Sequence, residues 1–291
     1  MNGTTQAGHQ TDRRADAGPG AAETLLELDG VGISFGGLRA VDDLGFRIQR
    51  GQIVALIGPN GAGKTTVFNL ITGVYRPTDG RIRWRGGDVT GLPPYRIAQL
   101  GIRRTFQTIR LFADMTVLEN VIAGEHLQIR QQWWQGLLGT PAQRREERVL
   151  IDRAMAVLER LGLADVAHEN ATSLPYGVQR RVELARTLVA EPELIILDEP
   201  AAGLNEFESA GLNDTIRAIR DSGVTVILVE HDMSVVMNVA DNIVVINFGK
   251  KIAEGKPAEI RSNPLVIEAY LGQDDEDDPL MQAVHEGHMT S

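Results

Sequence analysis

Short apolar runs recur along the chain at lengths that fit strands. Leu26, Leu28, Val31, Ile33 and Phe35 alternate loosely with small or polar residues and stop at Gly36-Gly37, the pattern of a strand ending in a turn. Ile53 to Ile57, Leu194 to Leu197, Val224 to Val229 and Ile243 to Ile246 are continuous apolar runs rich in Val, Ile and Leu, as expected of strands buried on both faces of a helix-covered sheet. Between them the apolar positions take helical spacing, at Val182, Leu184, Ala185, Leu188 and Val189 and again from Asn213 to Arg220. Strand and helix alternate, which predicts an α/β core.

From about Leu100 to Val178 the alternation stops. Met155, Val157, Leu158 and Leu161 are spaced as on a helix and no buried-strand run appears, so residues 100–178 read as a helical lobe inserted in a domain spanning residues 23–272. Residues 1–22, polar and without apolar periodicity, read as a flexible leader. Residues 273–291, with Gln-Asp-Asp-Glu-Asp-Asp-Pro at their start, read as a solvated acidic tail.

Composition narrows the function. The 291 residues include no Cys, so neither a disulfide framework nor a thiolate metal site is available, which fits a reducing compartment. A formal net charge of -10 argues against a broad nucleic-acid-binding surface. The leader lacks the apolar core of a signal peptide, and every apolar run is far below the ~20 residues that cross a bilayer. Any membrane work therefore falls to partner chains.

Two motifs carry chemistry. Gly58, Pro59, Asn60, Gly61, Ala62, Gly63, Lys64 and Thr65 match G-x-x-x-x-G-K-[ST] between an apolar strand and a helical pattern, the context this phosphate loop requires. Gly61 and Gly63 let backbone N–H groups point inward, Lys64 can reach the β and γ phosphates, Thr65 can ligate Mg²⁺, and Thr66 adjoins the same site. Further on, Leu194-Ile-Ile-Leu ends in Asp198 and Glu199, which places two acids at a strand's carboxyl end, where open α/β sheets bind ligands. Asp198 would organise the Mg²⁺ shell and Glu199 would polarise the attacking water. His231 also follows a strand, where it can hydrogen-bond a γ phosphate or simply cap a helix. Gln107, taken alone, is a loop amide.

In this order the residues resemble the ABC ATPase family over roughly residues 25 to 272, which implies a P-loop NTPase fold with a mixed-sheet core and a helical subdomain, using ATP and Mg²⁺. The resemblance implies that Phe35 stacks on adenine and that Gln107 contacts Mg²⁺ and senses a membrane domain. Leu174-Pro175-Tyr176-Gly177-Val178-Gln179 takes the signature position, Ala202-Gly-Leu-Asn205 the D-loop, and His231 the switch. The implied catalytic set is Lys64, Gln107, Glu199 and His231, with Thr65, Gln107 and, indirectly, Asp198 at the metal. Pro175 stands where the family signature LSGGQ has Ser, Val178 stands where it has Gln, and Asn205 replaces the D-loop Asp. In that family the signature of one subunit closes over ATP held by the other, so the resemblance implies that these changes act on the partner's site.

A narrower resemblance, to the ATP-binding subunits of branched-chain amino-acid importers, rests on FGGLRAV, RTFQTIRLF, MTVLENV, YGVQRRVELAR, LDEPAAGLN, VEHDM and IRSNPLVIEAYLG. It implies a second ATPase subunit, two membrane permease subunits and a solute-binding protein, with this chain peripheral on the cytoplasmic face of the plasma membrane. Other ABC transporters, for urea, amides, polar amino acids or exported lipid and polysaccharide, would share most of these motifs. A soluble ABC ATPase of DNA repair or translation fits less well, because the chain has one phosphate loop and no heptads. Trp133 and Trp134, in the insertion Gln128 to Arg148, leave two readings open: contact with a membrane domain, or packing within the lobe.

Overall fold

A computed structural model describes residues 23–105, 109–126 and 141–271. The leader, Trp133 and Trp134, and the acidic tail lie outside the described residues. In chain order the strands are β1 (Thr24–Phe35), β2 (Leu38–Gln49), β3 (Ile53–Ile57), β4 (Asp79–Trp84), β5 (Gly87–Asp88), β6 (Ile102–Arg104), β7 (Leu194–Asp198), β8 (Thr225–Val229), β9 (Asn242–Asn247) and β10 (Lys250–Gly255). The helices are α1 (Lys64–Ile71), α2 (Pro94–Gln99), α3 (Val117–His126), α4 (Pro141–Arg160), α5 (Tyr176–Leu188), α6 (Glu206–Asp221), α7 (Met233–Val239), α8 (Pro257–Arg261) and α9 (Pro264–Leu271).

Two sheets form. An antiparallel one runs β2-β1-β4-β5, and the central one runs β10-β9-β3-β8-β7-β6, parallel except for β10. Side chains alternate across a strand, and this period divides the central strands between two cores. Ile53, Ala55 and Ile57 of β3, with Ile195, Leu197, Val226, Leu228, Ile243 and Val245, face the core shared with α3 to α7. Val54 and Leu56, with Ile196, Ile227, Val244 and Ile246, face the core shared with α1 and the antiparallel sheet. Both faces are therefore apolar, which is why these runs read as continuous in the sequence.

The helical region matches its pattern in part. Val157, Leu158 and Leu161 are buried with Val117 and Val121 of α3, and Met155 packs against the same core. Its expected start near Leu100 is corrected: residues 102–104 form β6, paired in parallel with β7, so they belong to the central sheet. Three residues with two arginines are too short to show a period. β2, β4, β5 and β10 were likewise not expected. In β2 the buried Val41 and Leu44 fall out of step because the β1–β2 register shifts around them.

Candidate active site

The phosphate loop is held by close backbone packing. It leaves the fully buried β3 at Gly58, whose φ of +155° and contact with the carbonyl of Ile246 leave no room for a Cβ. Gly61, at φ +76°, needs the left-handed region as well. Gly63 caps α1, and the Gly249 amide donates to the carbonyl of Ala62 at 2.9 Å, pinning the loop to the turn between β9 and β10. Lys64 opens α1 and is buried, with its ammonium donating to the carbonyls of Gly58 and, at 3.0 Å, Pro59. Burial pulls the Lys64 pKa down, opposed by the negative charge of Glu199. Thr65 and Thr66 follow on the first turn, Thr65 exposed and Thr66 half-buried.

The two acids point to different partners. Asp198 ends β7 and accepts from Arg104 Nη2 at 2.5 Å. Arg104 is itself fixed by Asn69 Oδ1 at 2.8 Å and by the ring of Phe68, 5.7 Å below its guanidinium. Glu199 adopts φ +47°, a left-handed conformation costly for a residue with a Cβ. Its N–H donates to Val229 at 2.9 Å, and its carbonyl accepts from Arg180 Nη2 at 3.2 Å. Its Oε1 lies 2.7 Å from His231 Nε2. The histidine is therefore engaged with the carboxylate, in addition to any role toward phosphate.

Glu230, between β8 and His231, is buried and accepts from the amides of Ala201 at 2.5 Å and His231 at 3.2 Å. Burial pushes its carboxyl up to about 7, although those amide bonds, and one from Asp232, pull the other way. Sequence reasoning assigned no role to Arg104, Arg180 or Glu230. All three stand inside the quoted motifs, as the Arg of RTFQ, the first Arg of QRRVELAR and the Glu of VEHDM, and a charged residue abutting an apolar strand or set in a helix's buried stripe was the available signal.

The signature segment packs on the D-loop of its own chain. A Cβ on Gly203 would meet the Tyr176 ring at 3.4 Å, and one on Gly177 would meet the Glu208 carboxylate at 3.0 Å. Pro175 is the N-cap of α5, its carbonyl accepting from the amides of Val178 at 2.9 Å and Gln179 at 3.0 Å. Asn205 is the N-cap of α6 in a reciprocal capping box with Glu208, so the change from Asp keeps a competent cap. Phe35 ends β1 42% exposed, edge-on to Tyr75 at 5.1 Å, so a face remains for a planar ligand. Gln107 lies outside the described residues.

Among the described residues no three His, Cys, Asp or Glu side chains converge on one point. The Thr65 hydroxyl and the Asp198 carboxylate are hard oxygen donors of the kind Mg²⁺ takes, and such an ion usually completes its shell with phosphate oxygens and water. The arrangement suits a polyphosphate on the loop with a water polarised by Glu199.

Comparison with known proteins agrees. Residues 41–202 match the model of the family described as "ABC transporter", and residues 250–276 match that described as "Branched-chain amino acid ATP-binding cassette transporter". The chain is 49% identical over 253 residues, 87% of its own length and 99% of the relative's, to the "High-affinity branched-chain amino acid transport ATP-binding protein LivG" of Salmonella typhimurium. It is 48% identical over 250 residues, covering 86% of the chain and 98% of the relative, to the corresponding protein BraF of Pseudomonas aeruginosa. A crystal structure of the ADP conformation of an ATP-binding cassette of an ABC transporter superposes with a TM-score of 0.75 at 31% identity, covering 86% of this chain and 99% of that one.

Proposed function

Because the chain belongs to the ABC transporter family of ATP-binding proteins and is an ATP hydrolase of that family, we propose that it is the subunit that powers import of branched-chain amino acids. The observation that carries the hydrolytic part is the meeting of Glu199 with His231 at 2.7 Å, near enough to buried Lys64 for the carboxylate's charge to act on its ammonium. The relatives named for branched-chain amino-acid transport, and the match at residues 250–276, support the substrate class.

In this reading the loop amides and the α1 N-terminus take the β and γ phosphates, and Lys64 exchanges its loop carbonyls for phosphate oxygens. Phe35 lies against the adenine. Glu199, steadied by His231, orients water for attack on the γ phosphorus. Thr65 and Asp198, with Gln107, would hold a Mg²⁺ ion, which supplies charge neutralisation for the phosphates when bound. Pro175, Tyr176, Gly177 and Val178 close over the nucleotide of a second ATPase subunit.

No helix among the described residues is long and apolar enough to cross a membrane. In this reading the transport path belongs to two permease subunits fed by a solute-binding protein, and this chain attaches at their cytoplasmic face. Copurification with those permeases, followed by ATP turnover in the presence of leucine, isoleucine, valine, urea or amides, tests the proposal. Stimulation by the branched-chain amino acids is expected. Stimulation only by another solute contradicts the substrate class and leaves the ATPase standing.

A further inference from the structure

The signature helix α5 carries a buried ion pair that the hydrolytic mechanism leaves unused. Arg180 and Glu183, one turn apart, are each 1% exposed, and Arg180 Nη1 donates to Glu183 Oε2 at 2.8 Å. Backbone anchors the pair at both ends. Toward the catalytic turn, Arg180 Nη2 donates to the carbonyl of Glu199 at 3.2 Å. Toward the helical lobe, the backbone of Arg110 hydrogen-bonds the Glu183 carboxylate. Arg186, one turn further along α5, donates to the carbonyl of the same Arg110 and stands 4.0 Å from Glu183. A continuous polar chain thus runs from the segment just after position 107, through α5, to the backbone of Glu199.

Glu199 needs such a hold. Its left-handed φ of +47° persists only where the surroundings fix it: its N–H donates to the Val229 carbonyl and its own carbonyl accepts from the Ala202 amide at 3.1 Å. Arg180 adds a charged donor to that same carbonyl and ties it to α5. A guanidinium can do this while also donating to Glu183, because its donors fork in fixed directions, whereas a lysine ammonium presents a single point. Burying two charges gains little stability over apolar side chains of the same volume, so the effect of this pair lies in what it holds in place.

We propose that Arg180 and Glu183 are positioning residues for ATP hydrolysis, tying the loop at Arg110 to the backbone of Glu199 and thereby setting the direction of its carboxylate. The proposal rests on the reading of Glu199 as the group that orients water. It gives the segment at Arg110 a hydrogen-bonded route to the turn that carries the hydrolytic carboxylate, by way of the helix whose first turn is the signature.

The test compares the full chain, assembled with its ATPase partner, with two variants. Arg180→Met/Glu183→Leu removes both charges together and leaves neither unpaired. Arg180→Lys keeps the charge and loses the fork, and carries the test should the double variant not fold. Steady-state hydrolysis gives kcat and KM, and a fluorescent ATP analogue gives affinity. The expected result is a kcat lower by roughly tenfold to a hundredfold in both variants, with KM and analogue affinity within about twofold, as for a displaced reacting group. In a Glu199→Gln background the double variant should change residual single-turnover hydrolysis by less than about twofold, since no carboxylate remains to be positioned. Parent-like kcat in a folded variant, or losses that multiply with Glu199→Gln, overturns the proposal while leaving Glu199 in place. A parent assembly in which Glu199→Gln itself turns over normally overturns the reading of Glu199, and this proposal with it.

Discussion

His231 Nε2 stands 2.7 Å from Oε1 of Glu199. A carboxylate accepts and does not donate, so the imidazole carries its hydrogen on Nε2 and holds one oxygen of Glu199 in place. Two outcomes follow for ATP turnover by the assembled subunits. Glu199→Gln should bind ATP yet lose about 10²–10⁴ in kcat. His231→Ala should lose roughly tenfold or more in kcat with KM little changed, because the carboxylate is then free to turn away.

The phosphate loop separates two glycines by what surrounds them. At Gly58 a Cβ would collide with the Ile246 carbonyl, while at Gly61 it meets nothing within 4 Å. Gly58→Ala should therefore abolish ATP binding, through displacement of the loop from β9. Gly61→Ala should bear only left-handed strain, about 1–2 kcal/mol of unfolding free energy in a denaturant titration.

Much of this was legible in the sequence, and the failures have a common cause. Runs such as Leu194 to Leu197 could be read because both faces of β7 are buried, and the phosphate loop because its spacing is local. β6 could not, since Ile102–Arg104 is strand only by virtue of pairing with β7, some ninety residues away. The same distance hides the grip of Arg104 on Asp198, and the fold alone brings Arg180 to the Glu199 carbonyl 19 residues further on. Residue type announces a charge, but the partner is set by the fold. Glu230 was hidden in another way: its strand was evident, yet burial of its carboxylate against the Ala201 amide depends on the turn after Glu199.

Glu230 gives the fold a pH dependence of definite sign. Its carboxyl rises from 4.5 to about 7 on folding, so the folded protein binds the extra proton. Its contribution to stability is complete below about pH 4.5 and is lost as the pH climbs through 7, a change of about 3 kcal/mol. Unfolding free energies of the parent and Glu230→Gln, compared from pH 4.5 to 8, should show the parent losing that much relative to the variant and then levelling. A difference that does not vary with pH would contradict the burial of an ionising carboxyl here.

Pro175, as N-cap of α5, offers neither hydroxyl nor N–H, and its backbone at φ -54° and ψ 150° is one a serine adopts freely. Pro175→Ser should gain about 0.5–2 kcal/mol from a side-chain cap. It should also raise turnover at the site held by the partner subunit, where the hydroxyl supplies one more phosphate donor. A higher melting temperature with unchanged turnover would assign the residue to helix stability alone.

If ATP held by Lys64 and hydrolysed at Glu199 drives branched-chain amino-acid uptake, transport in cells depends on both side chains. The most direct measurement is radiolabelled leucine uptake in cells lacking this chain and any redundant importer. Uptake should be absent, restored by the natural sequence, and not restored by Lys64→Ala or Glu199→Gln expressed at the same level. Gln107→Ala should bind ATP and likewise fail to restore it. Normal leucine, isoleucine and valine uptake in the deletion strain, or full rescue by Lys64→Ala, would contradict the account.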